Sequence, residues 1–347
     1  MKKKIFVLML VLLLLPIIST AAVICANDMP GGDIGEKVNN AVTFLGNSGC
    51  ITIKDGIYEI KTPINLPGGY VLKAETPVFG RDLNLDNKFG VVLWARSNAI
   101  VTLVGKGAVE IDGIFFKGSK TCYKAKGIVS SGYVRMVKIH DCGFAYLDKA
   151  IVLQESGQCS VIEHNTIRRV NIGILVGNAD GTHITNNRII DCKNCAIYLD
   201  SQGKYSIWIT HNNFANAGNM YGDILTVDRG DLINFVSNHC ETCIAKQDAV
   251  AIRSLPTSVV VQFNIRNNFF NFYGKPHAIY LEGTVLGLNI TGNDFHNSDP
   301  SSIISAIHND AKRISNGVIV GNLSYGACAK PIIDSTKGIT FKSSNSY

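Results

Sequence analysis

Short apolar runs separated by turn residues recur along most of the chain, and most of them hang on one repeated asparagine. Asn165-Thr166-Ile167, Asn187-Arg188-Ile189, Asn212-Asn213-Phe214, Asn238-His239-Cys240, Asn268-Phe269-Phe270, Asn293-Asp294-Phe295 and Asn322-Leu323-Ser324 follow one another at intervals of 22, 25, 26, 30, 25 and 29 residues. A second run follows most beats: Ile174-Leu175-Val176, Ile197-Tyr198-Leu199, Leu225-Thr226-Val227, Val250-Ala251-Ile252 and Ile279-Tyr280-Leu281. Short runs at such a period, without helical spacing, predict a β-solenoid in which each coil cannot bury its apolar face alone. A buried Asn can pass amide hydrogen bonds from coil to coil and also tolerates a left-handed corner. The beat is therefore read as scaffold.

The N-terminal half adds a different element. Asp33-x-x-Glu36 is a capping box, Ile34, Val38, Ala41, Val42 and Leu45 recur at helical spacing, and Gly46 can close the helix. A helix over 34–45 is predicted, covering the open first coil and its unpaired edges. Strands are predicted over 50–54, 57–60, 70–73, 91–95 and 100–104, with regular coils from about 109. Lys2-Lys3-Lys4 and the apolar run Ile5–Ile18 read as a secretory signal over 1–26, cut after Ala26 or alternatively after Ala22, too short for a stable membrane span. The repeats make 33–335 one domain, with 336–347 a polar tail.

Composition changes the picture little. The formal charge of +6 includes three signal-segment lysines; without 1–26, 30 Lys+Arg stand against 27 Asp+Glu, a balance of +3. The basic residues form no stripe, so no nucleic-acid partner is expected. Cys192-x-x-Cys195 and Cys240-x-x-Cys243 have zinc-like spacing. In the repeat register, however, the pairs lie two coils, roughly 10 Å, apart, too far for one ion with bonds near about 2.3 Å. Buried apolar thiols, or a local disulfide within a pair, are the expectation.

The segment Gly32-Asp33-Ile34-Gly35, Gly49-Cys50-Ile51-Thr52-Ile53 and Gly56-Ile57-Tyr58-Glu59-Ile60 resembles the N-terminal cap of the pectate-lyase-like superfamily. That resemblance implies an all-β, single-stranded right-handed parallel β-helix with an N-terminal capping α-helix. It does not by itself imply an activity, because such folds carry lyases, hydrolases, epimerases and non-enzymes. Gln247-Asp248-Ala249-Val250-Ala251-Ile252 further resembles the Asp-Asp-x-Val-Ala-Ile strand of polygalacturonase-like hydrolases. By that resemblance Asp223 and His277 would flank Asp248 as catalytic groups. Gln247 stands where the first Asp of the pair belongs.

Counting from the beats groups outward residues into two columns. The first is Gln154, Gly177, Asp200, Asp228, Arg253, Glu282 and His308. Asp200 and Asp228 would hold a Ca²⁺ ion, which takes oxygen ligands, with Arg253 abstracting a proton from a uronate. Alternatively Asp228 and Glu282, about 9.6 Å apart by coil spacing, approach the range for inverting hydrolysis. Tyr198, Tyr280 and His308 would contact sugar rings. The second column is Cys195, Asp223, Asp248 and His277. Ordinary solvated ladders and turn residues would also look this way.

The expectation is an exported protein, secreted, periplasmic or at the cell surface, acting on an acidic polysaccharide. Uronate β-elimination is placed ahead of hydrolysis, with catalytic groups among Asp228, Arg253, Glu282, Asp223, Asp248 and His277. Ca²⁺ is the one cofactor anticipated. The alternative is a non-catalytic carbohydrate-binding or surface-structural solenoid.

Overall fold

The computed structural model describes residues 22–77, 90–154, 159–201, 206–215, 222–241, 250–272, 277–297, 305–314, 316–326, 332–334 and 339–341. Every strand pairing among them is parallel, as it must be when each coil repeats the last. The strands form one 24-stranded and one 11-stranded sheet. The larger sheet wraps two faces of the solenoid. Its first face runs through Lys149–Leu153, Ile172–Val176, Cys195–Asp200, the start of Asp223–Val236 and of Ile252–Arg266, His277–Leu281 and Ser305–Asn309. Its second face runs through Val109–Asp112, Val137–His140, Val161–Glu163, Thr182–Thr185, Ser206–Thr210 and the ends of the same two long strands. The 11-stranded sheet, from Gly56–Glu59 to Leu323–Gly326, closes the third side.

The core is a set of axial stacks. Ile151, Ile174, Ile197, Leu225, Ile252, Ile279 and Ile307 face each other coil after coil and are almost fully excluded from water. Each such burial contributes about 1.5–3 kcal/mol before conformational entropy is counted. Phe116 stacks on Phe144 and Phe270 on Phe295 at 5.0 Å. Cys142, Cys192, Cys195 and Cys240 are free thiols buried in this interior, so the Cys192/Cys195 pair makes no disulfide. Cys243 and Asp248 lie outside the described residues.

The asparagine beat is a continuous ladder. Asn212 Oδ1 accepts from the backbone N–H and the side-chain amide of Asn187, and Asn212 donates to Ile184 O and Asn238 Oδ1. The pattern runs from Asn165 to Asn322, and Cys142 N–H donates into its first amide oxygen. The left-handed residue is not the ladder Asn but the one before it: Asp141, His164, Asn186, His211, Ser237 and Asn267 have φ of 53–57°. The corner bend and the ladder thus fall on separate, adjacent residues.

The helix spans Ile34–Leu45 as expected, and Asp33 does more than cap it. Its Oδ1 accepts from Glu36 N–H, while its Oδ2 accepts from Lys61 and Thr62 N–H and ties the cap to the first coils. Gly35 has no alternative there, because a Cβ would lie 1.9 Å from Thr62 O. The solenoid also starts earlier and runs further than the domain bounds read from sequence. Val23–Cys25 pairs with Cys50–Thr52, and Ala26 is fully buried. Cleavage after Ala22 would keep this strand, and cleavage after Ala26 would remove it. Parallel coils are regular from Gly49, well before 109, and Ile339–Phe341, inside the expected tail, pairs with Gly317–Ile319.

Candidate functional site

On the first face, Ile252 and not Val250 stands opposite Leu225. The column read from sequence therefore breaks at Arg253. The observed row is Tyr198, Thr226, Arg253, Tyr280 and His308. A slip of two residues leaves every side chain on its own side of the sheet, so the apolar alternation is blind to it.

Asp200 and Asp228 do not continue that row. The pairing jumps from Leu199↔Val227 to Asp200↔Arg229, so Asp228 is the extra residue of a bulge. Arg229 Nε lies 3.7 Å from Asp200 Oδ1, and Asp228 Oδ1 accepts from Thr257 Oγ1 at 3.1 Å. Bulges of this kind re-aim side chains beside functional sites. Both carboxylates add, after burial, to holding the Tyr198 phenol above its ordinary pKa. Glu282 is tied through its backbone to Ser254 Oγ.

Four successive coils carry one connected polar cluster. Asp223 is buried and accepts from Arg253 Nε at 2.8 Å, Val250 N–H at 2.9 Å and Thr226 Oγ1 at 3.3 Å. The Arg253 guanidinium also lies 5.4 Å from the Tyr280 ring centre. Tyr280 Oη donates to Asp310 Oδ2 at 3.3 Å, and the same oxygen lies 3.0 Å from His308 Nε2. His308 Nδ1 and His277 Nε2 are 2.8 Å apart. Burial, then the charges of Glu282 and Asp310, keep the Tyr280 phenol protonated by raising its pKa. Asp310 and Arg229 were not singled out in the sequence. The signal for Asp310 was its place in the turn two residues after His308. Residues 216–221, 242–249 and 273–276, where the sequence predicts longer turns, lie outside the described residues.

A second cluster lies on the second face, where the sequence reading named nothing. His140 stands opposite Asp112 one coil below, and the left-handed corner swings Asp141 back beside the imidazole. Nδ1 is 2.8 Å from Asp141 Oδ2 and 3.5 Å from Asp112 Oδ1; Nε2 is 2.8 Å from Glu110 Oε1. Burial, followed by the neighbouring Asp141 and Glu110 carboxylates against the opposing pull of His140, leaves the Asp112 carboxyl with a raised pKa. His140 is also raised: burial opposes its charge, but hydrogen bonds to Asp141 and Glu110 outweigh it. Asp112, His140 and Asp141 can offer ligand atoms all within 4.8 Å of one another. A concavity of about 430 Å³ lies further back along the same strands, lined in part by Val71, Glu110, Lys138 and Val161, and of the cluster only Glu110 reaches it.

This architecture is that of the right-handed parallel β-helix proteins. Residues 38–239 match the model of the family described as periplasmic copper-binding protein (NosD), more than half of the chain, and the protein belongs to that family. No curated protein matches the sequence. Among solved structures, DFA-IIIase from Arthrobacter chlorophenolicus A6 in complex with DFA-III is similar at TM-score 0.68 and 13% identity, over 92% of this chain and 86% of that one. The A-module of the mannuronan C-5 epimerase AlgE6 of Azotobacter vinelandii is similar at TM-score 0.58 and 12% identity, over 93% and 99%. At such identities the likeness is one of fold. No helix among the described residues is long and apolar enough to cross a membrane.

The family description raises copper, and the second-face cluster is a chemical match for one oxidation state. One imidazole and two or three carboxylates suit Cu(II), whereas Cu(I) selects thiolate and thioether. The nearest thiol, Cys142, is buried, its pKa is pushed up to about 12, and its Sγ lies 3.1 Å from His140 O.

Proposed function

We propose that this protein is an exported β-helix protein that acts on a carbohydrate at the first face, between Tyr198 and His308. The observation that carries the reading is the connected cluster: a buried carboxylate anchoring an arginine, an aromatic ring beside it, and two imidazoles backed by a carboxylate. The similarity of fold to a mannuronan C-5 epimerase and to DFA-IIIase supports the substrate class.

Within that class, β-elimination on a uronate is favoured over hydrolysis. Arg253, held by Asp223, is suited to binding the uronate carboxylate. It is poorly suited to the proton abstraction expected of it, because its partner carboxylate stabilises the charged form. Proton transfer falls to the His277–His308 pair with Asp310 behind it. The C5–H bond breaks to an imidazole, its electron pair forms the C4=C5 double bond, and the C4–O bond breaks with a proton passing to the leaving oxygen. Asp223, already engaged by three donors, is a poor general acid for hydrolysis. A Ca²⁺ ion at Asp200 and Asp228 would add charge neutralisation to the same step.

The test is ultraviolet absorbance of unsaturated product on several uronate polymers, with and without chelator. Release of reducing ends without that absorbance would favour hydrolysis, and neither signal on any polymer would sink the enzymatic reading.

A second reading is copper binding, brought by the family's description and favoured by the Asp112–His140–Asp141 cluster. Its test is whether the purified chain retains copper on dialysis.

A further inference from the structure

We propose that Asp112, His140 and Asp141 form a single Cu(II) site, with Glu110 as the carboxylate that orients the imidazole. This rests on the copper reading and specifies its seat and its oxidation state.

The hydrogen-bond pattern assigns the imidazole's two nitrogens different partners. Nε2 faces Glu110 alone at 2.8 Å, while Nδ1 faces both Asp141 at 2.8 Å and Asp112 at 3.5 Å. With Nε2–H donated to Glu110, the Nδ1 lone pair looks into the space between two carboxylates. That is the carboxylate–histidine–metal arrangement, in which a carboxylate behind the ring fixes the tautomer. The spacings also suit an ion. Two bonds of about 2.0–2.1 Å place their donor atoms about 2.9 Å apart at a right angle and about 3.4 Å apart at the tetrahedral angle. The observed 2.8 and 3.5 Å bracket that range.

Lys138 Nζ lies between Glu110 and Glu163, at 3.9 and 3.7 Å. Asp112 and Asp141 face the imidazole on a patch where side chains are only 13–37% exposed, and Lys73, opposite Asp112 on the neighbouring coil, is the cation that a bound ion would have to share it with. A nitrogen–oxygen donor set follows the general divalent order, in which Cu(II) binds more tightly than Zn(II) or Mn(II). The pair His277 and His308 is the competing imidazole site, but it lies outside the residues that match the family and brings no third donor within the same reach among the described residues.

The experiment is titration of the metal-free full chain with Cu(II), read by calorimetry and by electron paramagnetic resonance. One equivalent is expected, with hyperfine structure from one imidazole nitrogen. His140→Ala should abolish the signal and Asp141→Asn should weaken it. Glu110→Gln should lower affinity about 10–100-fold at unchanged stoichiometry, and His277→Ala should leave binding intact. Circular dichroism confirms that each variant is folded; because these side chains point outward, either Asp141→Asn or Glu110→Gln decides if His140→Ala does not fold. Copper bound equally well by the His140 and Asp141 variants would overturn the seat while leaving the copper reading standing. No uptake of Cu(II) or Cu(I) by the wild-type chain would overturn both, and a preference for Cu(I) would overturn the donor assignment alone.

Discussion

Arg253 and His308 carry the first face at the scale of single residues, and each has a distinct expected loss. His308→Asn removes the imidazole between Asp310 and His277 and should lower turnover about 10²–10⁴-fold, the usual worth of a positioned acid–base group. Arg253→Lys keeps the charge but loses the planar fork on Asp223; a rise in KM larger than the fall in kcat is expected if it binds the substrate's carboxylate. Activity unaffected by both changes would exclude this cluster. The thiols offer a separate check. Cys122 and Cys159 are exposed, whereas burial drives Cys142 and Cys195 up to about 12 and holds Cys192 and Cys240 well above the ordinary thiol value. In the folded protein, a thiolate reagent at neutral pH should label Cys122 and Cys159 and leave those four untouched until denaturant is added, as counted by mass spectrometry. The apolar role of the cysteines could be read from sequence because their register separated the two pairs. The Asp112–His140–Asp141 cluster could not, because it joins residues about thirty positions apart through one coil stacking and one left-handed corner.

At the scale of elements, the capping helix depends on Asp33. Burial raises its pKa, but the N–H groups of Glu36, Thr62 and Lys61 outweigh that and hold it below its ordinary value. A depressed carboxylate stabilises the fold above its unfolded pKa, and that stability is lost as pH falls through the folded value. Asp33→Ala should therefore cost about 0.5–2 kcal/mol near neutrality as a lost cap, with a smaller difference from wild type in strong acid. Chemical denaturation at both pH values measures it; an equal cost at both would remove the charge from the account. The helix itself was legible from the capping box and the 3.6-residue spacing. The strand Ile64–Pro67 was not, because a four-residue run carries almost no periodicity. The long strands Asp223–Val236 and Ile252–Arg266 were also missed, since their corner is turned within one continuous strand, at a register shift between Val227 and Arg229.

For the whole molecule, the ladder and the stacked core make each coil depend on its neighbours. Asn238→Ala would strand the Asn212 donors and Ile209 O in the interior. Each unsatisfied buried group costs about 1–3 kcal/mol, so a loss of more than about 2 kcal/mol is expected by denaturant titration. A loss below about 0.5 kcal/mol would mean that water replaces the amide. The sequence by itself determined the solenoid: apolar runs at coil period can be buried only by stacking, and a repeated asparagine among them can be satisfied only by its copies. Which outward residues meet was decided by the tertiary structure alone. Sheet alternation tells inside from outside but is indifferent to slips of two, to a bulge at Asp228 and to the length of the turns. Those three features, fixed by packing between coils, put Arg253 beside Tyr280 and took Asp228 out of the row.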